Sequence, residues 1–390
     1  MKRKAPIRHL DPMLLFVSIT LAVYGAVIVY SATLQQQLEA GLDGSSYLKR
    51  QVAFVVAGVL ALLVVAAFDY RWVRGFAPFV YGGVVLLLIV VLTPLGDVSK
   101  GASRWINFGA FQMQPSELGK VAVVVALAAY LGERKGDVRA RDIAAVCGLA
   151  LVPCALIYLE PDLGSALVYV ALTAVLLLVG GAKIRHFLFL GAMAALTVVV
   201  VLQAGLLEDY QVQRLTAFTD TNCDVQGPCY NLTQSKIAIG SGGIRGKGLQ
   251  IQGCAPRTEL VRRGERPDLS CANTQTSLDF VPEQHTDFIF TAVGEQLGFM
   301  GSAALLALFG LLIWRALRIA TMSRDLFGTL IAAGIAGFWI FQLFVNVGMT
   351  MGIMPITGIP LPFLSYGGSS LITNFIAVGL LLNVHMRRFI

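Results

Sequence analysis

An all-α, polytopic membrane protein of about ten spans, with one long extracytoplasmic loop, is the fold that these 390 residues predict. Three observations carry the prediction. Of the residues, 56% are hydrophobic and 14% charged, with a mean hydropathy of +0.72; a soluble domain has about 25% charged residues. Apolar runs long enough to cross a bilayer, about 17–25 residues each, return along almost the whole chain. Lipid-exposed backbone must also satisfy its own hydrogen bonds, which makes each such run a helix.

In order, the runs fall at 13–34, 51–68, 73–93, 116–131, 143–159, 163–180, 186–205, 286–313, 327–352 and 369–385. Basic residues mark alternate connections, the signature of cytoplasmic loops. Lys2, Arg3, Lys4 and Arg8 precede the first run, and Arg71 and Arg74 the third. Arg134, Lys135, Arg139 and Arg141 follow the fourth, Lys183 and Arg185 the sixth, Arg315, Arg318 and Arg324 the eighth, and Arg387 and Arg388 the last. Residues 35–47, 160–162 and 353–368 contain no Lys or Arg. Both termini are therefore expected in the cytoplasm. These anchors supply most of the net charge of +7, which gives no reason to expect nucleic acid. The first run ends without a small-residue cleavage site and is expected to be retained as a span.

The chain reads as a single membrane domain over 1–390, with one connection out of scale. Residues 206–285 form a polar loop between the seventh and eighth spans, placed outside by the parity of the runs. A loop of that length carries function or disorder. It includes GSGGIRGKG at 240–248 and four cysteines, Cys223, Cys229, Cys254 and Cys271. Four extracytoplasmic cysteines are compatible with two disulfides in three connectivities, Cys223 with Cys229 being the local pair; a metal site lacks its CxxC pair and histidines. Cys147 and Cys154 lie in the fifth run and read as small apolar residues. GSGGIRGKG lacks the GK[ST] ending of a phosphate loop. Its glycines permit tight turns, with Arg245 and Lys247 available to an anionic head group.

Ionisable groups at membrane depth are functional candidates. PEQHTDFIFTAVGEQLG, residues 282–298, sets Glu283, His285 and Asp287 where the polar loop meets an apolar run. Arg104 and Trp105 precede the fourth run, as site residues or as interface anchors. Glu117 and Lys120, in QPSELGK, are three apart and share a helical face; they form either a self-neutralising pair at the helix mouth or part of a polar pocket in the bundle. Arg50 opens the second run and Asp162, in EPDLGSA, the sixth. All of these fall at the outer level, which points to one shared cavity. Residues 353–370, IMPITGIPLPFLSYGGSS, are neither helix nor solvated loop, with Pro355, Pro360 and Pro362 among apolar neighbours. Such backbone at membrane depth is buried in protein or lines a cavity. Ser365, Tyr366, Gly367 and Gly368 can bring backbone N–H groups to a phosphate; a simple re-entrant cap is the plainer alternative.

Taken together and in this order, GASRWI, QPSELGK, EPDLGSA, PEQHTDFIF and PITGIPLPFLSYGGSS resemble the SEDS family (shape, elongation, division and sporulation) over almost the entire chain. ITGIPLPFLSYGGSS and VPEQHTDFIF look more like its elongation branch, the RodA type, than its division branch, the FtsW type. The enlarged cysteine-bearing loop departs from the elongation pattern. The resemblance implies a peptidoglycan glycosyltransferase that polymerises lipid II on the outer face of the cytoplasmic membrane, working with a class B penicillin-binding protein as transpeptidase. It places the family's catalytic acid on Asp287 and its functionally important tryptophan on Trp105. Arg50, Glu117, Lys120 and Asp162 match polar positions of the family's central cavity.

The chemistry needs one positioned carboxylate to take the proton from an attacking sugar hydroxyl. Asp287 is the candidate, with His285 placed to orient it and partial burial expected to raise its pKa. A lipid diphosphate leaves as a stable anion and needs charge neutralisation rather than a proton. Arg50, Arg104, Lys120 or a divalent cation, magnesium or manganese with ligands the sequence does not fix, can supply it. An α-linked donor giving a β-linked polymer requires one inverting displacement. A lipid II flippase is the rival reading, since broken spans and intramembrane charge also suit transport; a division-type paralogue and a non-catalytic scaffold are the others.

Overall fold

The computed structural model describes residues 9–94, 96–99, 102–109, 112–134, 138–203, 228–250, 274, 276 and 281–388. In chain order its helices are α1 (Pro12–Glu39), α2 (Ser46–Ala67), α3 (Tyr70–Val91), α4 (Pro115–Gly132), α5 (Ala140–Leu159), α6 (Leu163–Val179), α7 (Ile184–Gln203), α8 (Pro228–Gly242), α9 (Ile289–Met322), α10 (Leu326–Met351) and α11 (Gly368–Arg387). Three short strands, β1 (Asp97–Ser99), β2 (Ala102–Asn107) and β3 (Gln112–Met113), form an antiparallel sheet in sequence order between α3 and α4. Every expected run is a helix, and α8 is an additional one inside the long loop. Eight of the helices have the length and apolar composition to cross a membrane, and α6 and the apolar part of α7 are shorter.

Local chemistry explains several of the helix ends. Asp11 caps α1 by accepting from the N–H groups of Met13 and Leu14 at 3.1 and 3.2 Å, with Pro12 at the first helical position. Asp325 caps α10 through the Gly328 N–H at 2.8 Å, and Gly352, with φ of 76°, ends it in the left-handed conformation that suits glycine. α9 runs nine residues past its expected end at 313, to Met322. Arg315, which marked the end of the apolar run, stays within the helix because it is ion-paired with Asp11.

α4, α10 and α11 are the most enclosed helices, and α11 packs along α2, α4 along α3 and α10 along α6 and α9. One apolar core joins residues from Leu14 to Met386. At the end bearing the basic connections, Tyr70 Oη donates to Asp325 Oδ2 at 3.0 Å, Arg387 Nη1 lies 3.3 Å from Asp69 Oδ2, and the Asn383 amide donates to the carbonyls of Val65 and Phe68. The candidate residues gather at the opposite end. Cys223, Cys254 and Cys271 lie outside the described residues and Cys229 is described only in its backbone; Cys147 and Cys154 are free thiols on α5.

Candidate active site

The PEQHTDF segment is a compact turn leading into α9. Glu283 has φ of 56°, and its carbonyl accepts from the N–H groups of Thr286 and Phe288, both at 3.2 Å. Its carboxylate accepts from Thr286 Oγ1 at 2.9 Å, so this acid serves its own turn. Gln284 is buried and donates to the Ala32 carbonyl at 3.0 Å, tying the turn to α1. Asp287 follows, half-buried. Asn346 Nδ2 on α10 donates both to the Asp287 carbonyl and to the Ile359 carbonyl, each at 2.8 Å, and so staples the turn to the 353–367 loop. The Asp287 carboxylate lies along Gly358: a Cβ there would sit 3.2 Å from Oδ2.

The 353–367 loop is buried in protein, as its apolar composition requires; Ile359, Leu361, Phe363 and Leu364 are all enclosed. Ser365 Oγ donates to the Thr286 carbonyl at 2.6 Å and accepts from the Leu361 N–H at 2.8 Å. The Ser365 N–H donates to the Leu361 carbonyl at 3.0 Å and the Tyr366 N–H to the His285 carbonyl at 2.8 Å. Those two amides are spent on the loop and on the Asp287 turn, so the phosphate cradle expected from Ser365 to Gly368 contracts to the N-terminus of α11, where Gly367 is the N-cap and no side chain caps.

An aromatic wall stands beside the turn. The Tyr47 ring packs edge-on against His285 at 5.2 Å and against Tyr366 at 4.7 Å, and Phe54 lies 6.3 Å from Tyr366. Tyr47, Arg50 and Phe54 are spaced i, i+3, i+7 and share one face of α2. Arg50, exposed between two residues that touch Tyr366, therefore belongs to the same wall as His285.

The other wall holds Asp162, Arg104 and Trp105. Asp162 is the N-cap of α6: it accepts from the Ser165 N–H at 3.1 Å, from Ser165 Oγ at 2.8 Å and from Gln114 Nε2 at 3.3 Å. Gly164 passes so close to the Thr357 carbonyl that a side chain there would collide with it, which brings this wall against the Gly358 loop. Ser369 Oγ accepts from the Gln114 N–H at 2.9 Å and donates to the Gln112 carbonyl at 3.1 Å, joining α11 to β3 and α4. Arg104 donates from Nε to the Glu160 carbonyl at 3.0 Å and also to the Pro161 carbonyl. Trp105, half-buried on β2, is its neighbour and pairs with Asp97 in the strand register.

Glu160 is a residue that sequence reasoning missed. It is 1% exposed, and neither carboxylate oxygen has a hydrogen-bond partner among the described residues. Burial, reinforced by the Asp162 charge and opposed by Arg104, pushes its pKa up to about 8. Deeper lies the Glu117–Lys120 pair, 2.7 Å apart with each side chain 2% exposed, so the pair is an interior feature and not a solvated helix mouth. Gln51 on α2, Ser116 on α4, Gln342 on α10 and Thr373 on α11 also have buried side-chain polar atoms without hydrogen-bond partners among the described residues, as does Glu117 Oε2. Each such atom costs about 1–3 kcal/mol if left dry, so these atoms suit water or a polar ligand. Only tertiary packing buries these groups, and no local pattern marked Gln51 or Thr373. No three His, Cys, Asp or Glu side chains converge as metal ligands among the described residues.

The FtsW, RodA and SpoVE family of cell cycle proteins matches residues 11–255 and 263–389. The peptidoglycan glycosyltransferase MrdB of Escherichia coli strain K12 is 34% identical over 380 residues, 97% of this chain and 94% of that protein. A probable peptidoglycan glycosyltransferase FtsW of Geobacter metallireducens is 36% identical over 384 residues, covering 98% and 96%. Among solved structures, a chain from work on the structural coordination of polymerization and crosslinking by a peptidoglycan synthase complex superposes with a TM-score of 0.75 at 30% identity, covering 97% of this chain and 98% of that one.

Proposed function

The chain belongs to the FtsW, RodA and SpoVE family of cell cycle proteins, and from that membership we infer that it works as an integral-membrane peptidoglycan glycosyltransferase. Its substrate is lipid II, met at the outer face of the cytoplasmic membrane with both termini on the cytoplasmic side. A class B penicillin-binding protein is the partner that crosslinks the product; the similarity to a chain of a peptidoglycan synthase complex supports this. The relatives named MrdB and FtsW are almost equally similar, at 34% and 36% identity. Assignment to elongation rests on the resemblance carried by residues 281–290 and 356–370, and a loss of rod shape without a division block on depletion is the phenotype expected.

The observation that carries the reading is the placement of a half-buried Asp287 carboxylate against Gly358, with the exposed Arg50 on the wall that holds His285. Asp287 takes the proton from the attacking sugar hydroxyl as the new bond forms at the anomeric carbon of the donor. The carbon–oxygen bond to the lipid diphosphate breaks on the opposite side, with inversion, and both electrons leave with the diphosphate. Arg50 and the N–H groups at the start of α11 face that charge, and Trp105 offers an apolar platform beside it. A divalent cation would arrive on the diphosphate, held by one or two carboxylates at most, as magnesium sites on phosphates commonly are.

Purified full-length protein supplied with lipid II and a transpeptidase-inactive partner tests this. Glycan polymer, increased by magnesium or manganese, is the result expected; lipid II that crosses a vesicle bilayer with no polymer formed would overturn it in favour of a flippase.

A further inference from the structure

Gly298 breaks α9. Its φ of 64° and ψ of −159° divide the helix into a short outer segment, 289–297, and a long inner one, 299–322. A break leaves main-chain groups on both sides without helical partners, and residues 243–248 take them up. The N–H groups of Lys247 and Gly248 donate to the carbonyls of Glu295 and Gln296 at 3.0 and 2.9 Å. Beyond the break, the N–H groups of Phe299 and Met300 donate to the carbonyls of Gly243 and Ile244 at 2.9 and 3.1 Å. The two backbones are so close that a Cβ at Gly246 would strike the Gln296 carbonyl and one at Gly298 the Gly246 amide, and both glycines have positive φ. GSGGIRGKG is therefore a main-chain splint across a broken helix.

One ion pair reinforces it. Lys247 Nζ lies 3.0 Å from Oε1 of Glu295, whose side chain is fully buried. Ser241 Oγ lies 3.5 Å from the same oxygen, and Glu295 Oε2 accepts from the Thr276 N–H at 2.9 Å. Lys247, which the sequence offered to a head group, is engaged inward.

The segment 289–297 begins two residues after Asp287, and the break uncouples it from the inner helix. Its position is fixed by Asn346 at one end and by the splint at the other. We propose that Lys247 and Glu295 are positioning residues: their ion pair holds the outer segment of α9 so that Asp287 keeps its place against Gly358. The proposal rests on the reading of Asp287 as general base. Misplacing a reacting group by about 1 Å costs on the order of a hundredfold in rate, and such a loss falls on turnover rather than on substrate affinity.

The test compares Lys247→Met, Lys247→Arg, Glu295→Gln and Asp287→Asn in the full chain, with lipid II as substrate and amide exchange as a second readout. Lys247→Met is expected to lose turnover by roughly tenfold to a hundredfold, with the KM for lipid II within about threefold of wild type. Exchange should quicken in 289–297 and stay unchanged in 299–322. Lys247→Arg, which keeps the ion pair, should restore turnover, and Glu295→Gln, which loses the charge and leaves one acceptor oxygen for Lys247 Nζ and the Thr276 N–H, should lose turnover as Lys247→Met does. Lys247→Met turnover within about twofold of wild type, beside an inactive Asp287→Asn, would overturn the proposal, because the loss predicted for a displaced base would be missing. So would faster exchange across all helices, which marks general unfolding. An active Asp287→Asn would remove the base assignment and the positioning role with it.

Discussion

Burial beside Asp162 keeps the proton on Glu160 up to about pH 8, against an ordinary value of 4.5. The folded state then binds more protons than the unfolded state between those two values, so stability falls as pH rises through that window. Glu160→Gln mimics the protonated form, and its melting temperature should exceed that of the wild type by a margin that widens from pH 5 to pH 8.5; a constant margin would contradict the burial argument. The Glu117–Lys120 pair gives a second prediction. Lys120→Met strands a buried carboxylate and should cost about 3–5 kcal/mol, whereas Glu117→Gln with Lys120→Met should recover most of it; thermal unfolding of the single and double variants checks this. At this scale the sequence was partly legible. Spacing of three paired Glu117 with Lys120, and the chain order put Asp287 at a membrane boundary. Glu160, Gln51 and Thr373 were invisible because their isolation is created by neighbours distant in sequence, and the N-cap role of Asp162 shows only once Ser165 is seen to donate to it.

Hydropathy located the helices to within a few residues at most ends because length and apolar content decide which segments cross a bilayer. It said nothing of the β1–β3 sheet, whose strands of two to six residues leave too little periodicity to register. The break in α9 was hidden for a different reason: Gly298 sits in an apolar run that reads as continuous helix until residues 243–248 supply the missing hydrogen-bond partners. The 353–367 loop was the most legible element, since prolines among apolar residues exclude both helix and solvent. Its tie to the Asp287 turn runs through Ser365. Ser365→Ala removes the donor to the Thr286 carbonyl and the acceptor for the Leu361 N–H and should destabilise the protein by about 1–3 kcal/mol. Denaturation of the variant, with amide exchange at Leu361, measures both effects; an unchanged Leu361 amide would show that the Ser365 hydroxyl is not its partner.

Across the whole molecule the polar side chains divide between the two ends. Asp11, Asp69, Asp325, Asn383 and Arg387 interlock at the end with the basic connections, where His385 Nδ1 is also buried without a hydrogen-bond partner among the described residues, while the partnerless polar atoms of Gln51, Ser116, Glu117, Glu160, Gln342 and Thr373 lie in the opposite half of their helices or just beyond them. The lower half of α4, from Val121 to Leu131, contributes apolar side chains apart from Tyr130. Ten spans with both termini in the cytoplasm, the topology proposed here, would put the Asp287 end outside. A fluorescent protein fused at the C-terminus should glow and an alkaline phosphatase inserted after Gly44 should be active; the reverse pair would put the site in the cytoplasm, away from exported lipid II. The most direct test of the account is lipid II polymerisation by purified Asp287→Asn beside the wild type, with matched melting temperatures and matched binding of the penicillin-binding protein. The account predicts folded, partner-competent protein that makes no glycan, whereas glycan made at the wild-type rate would contradict it.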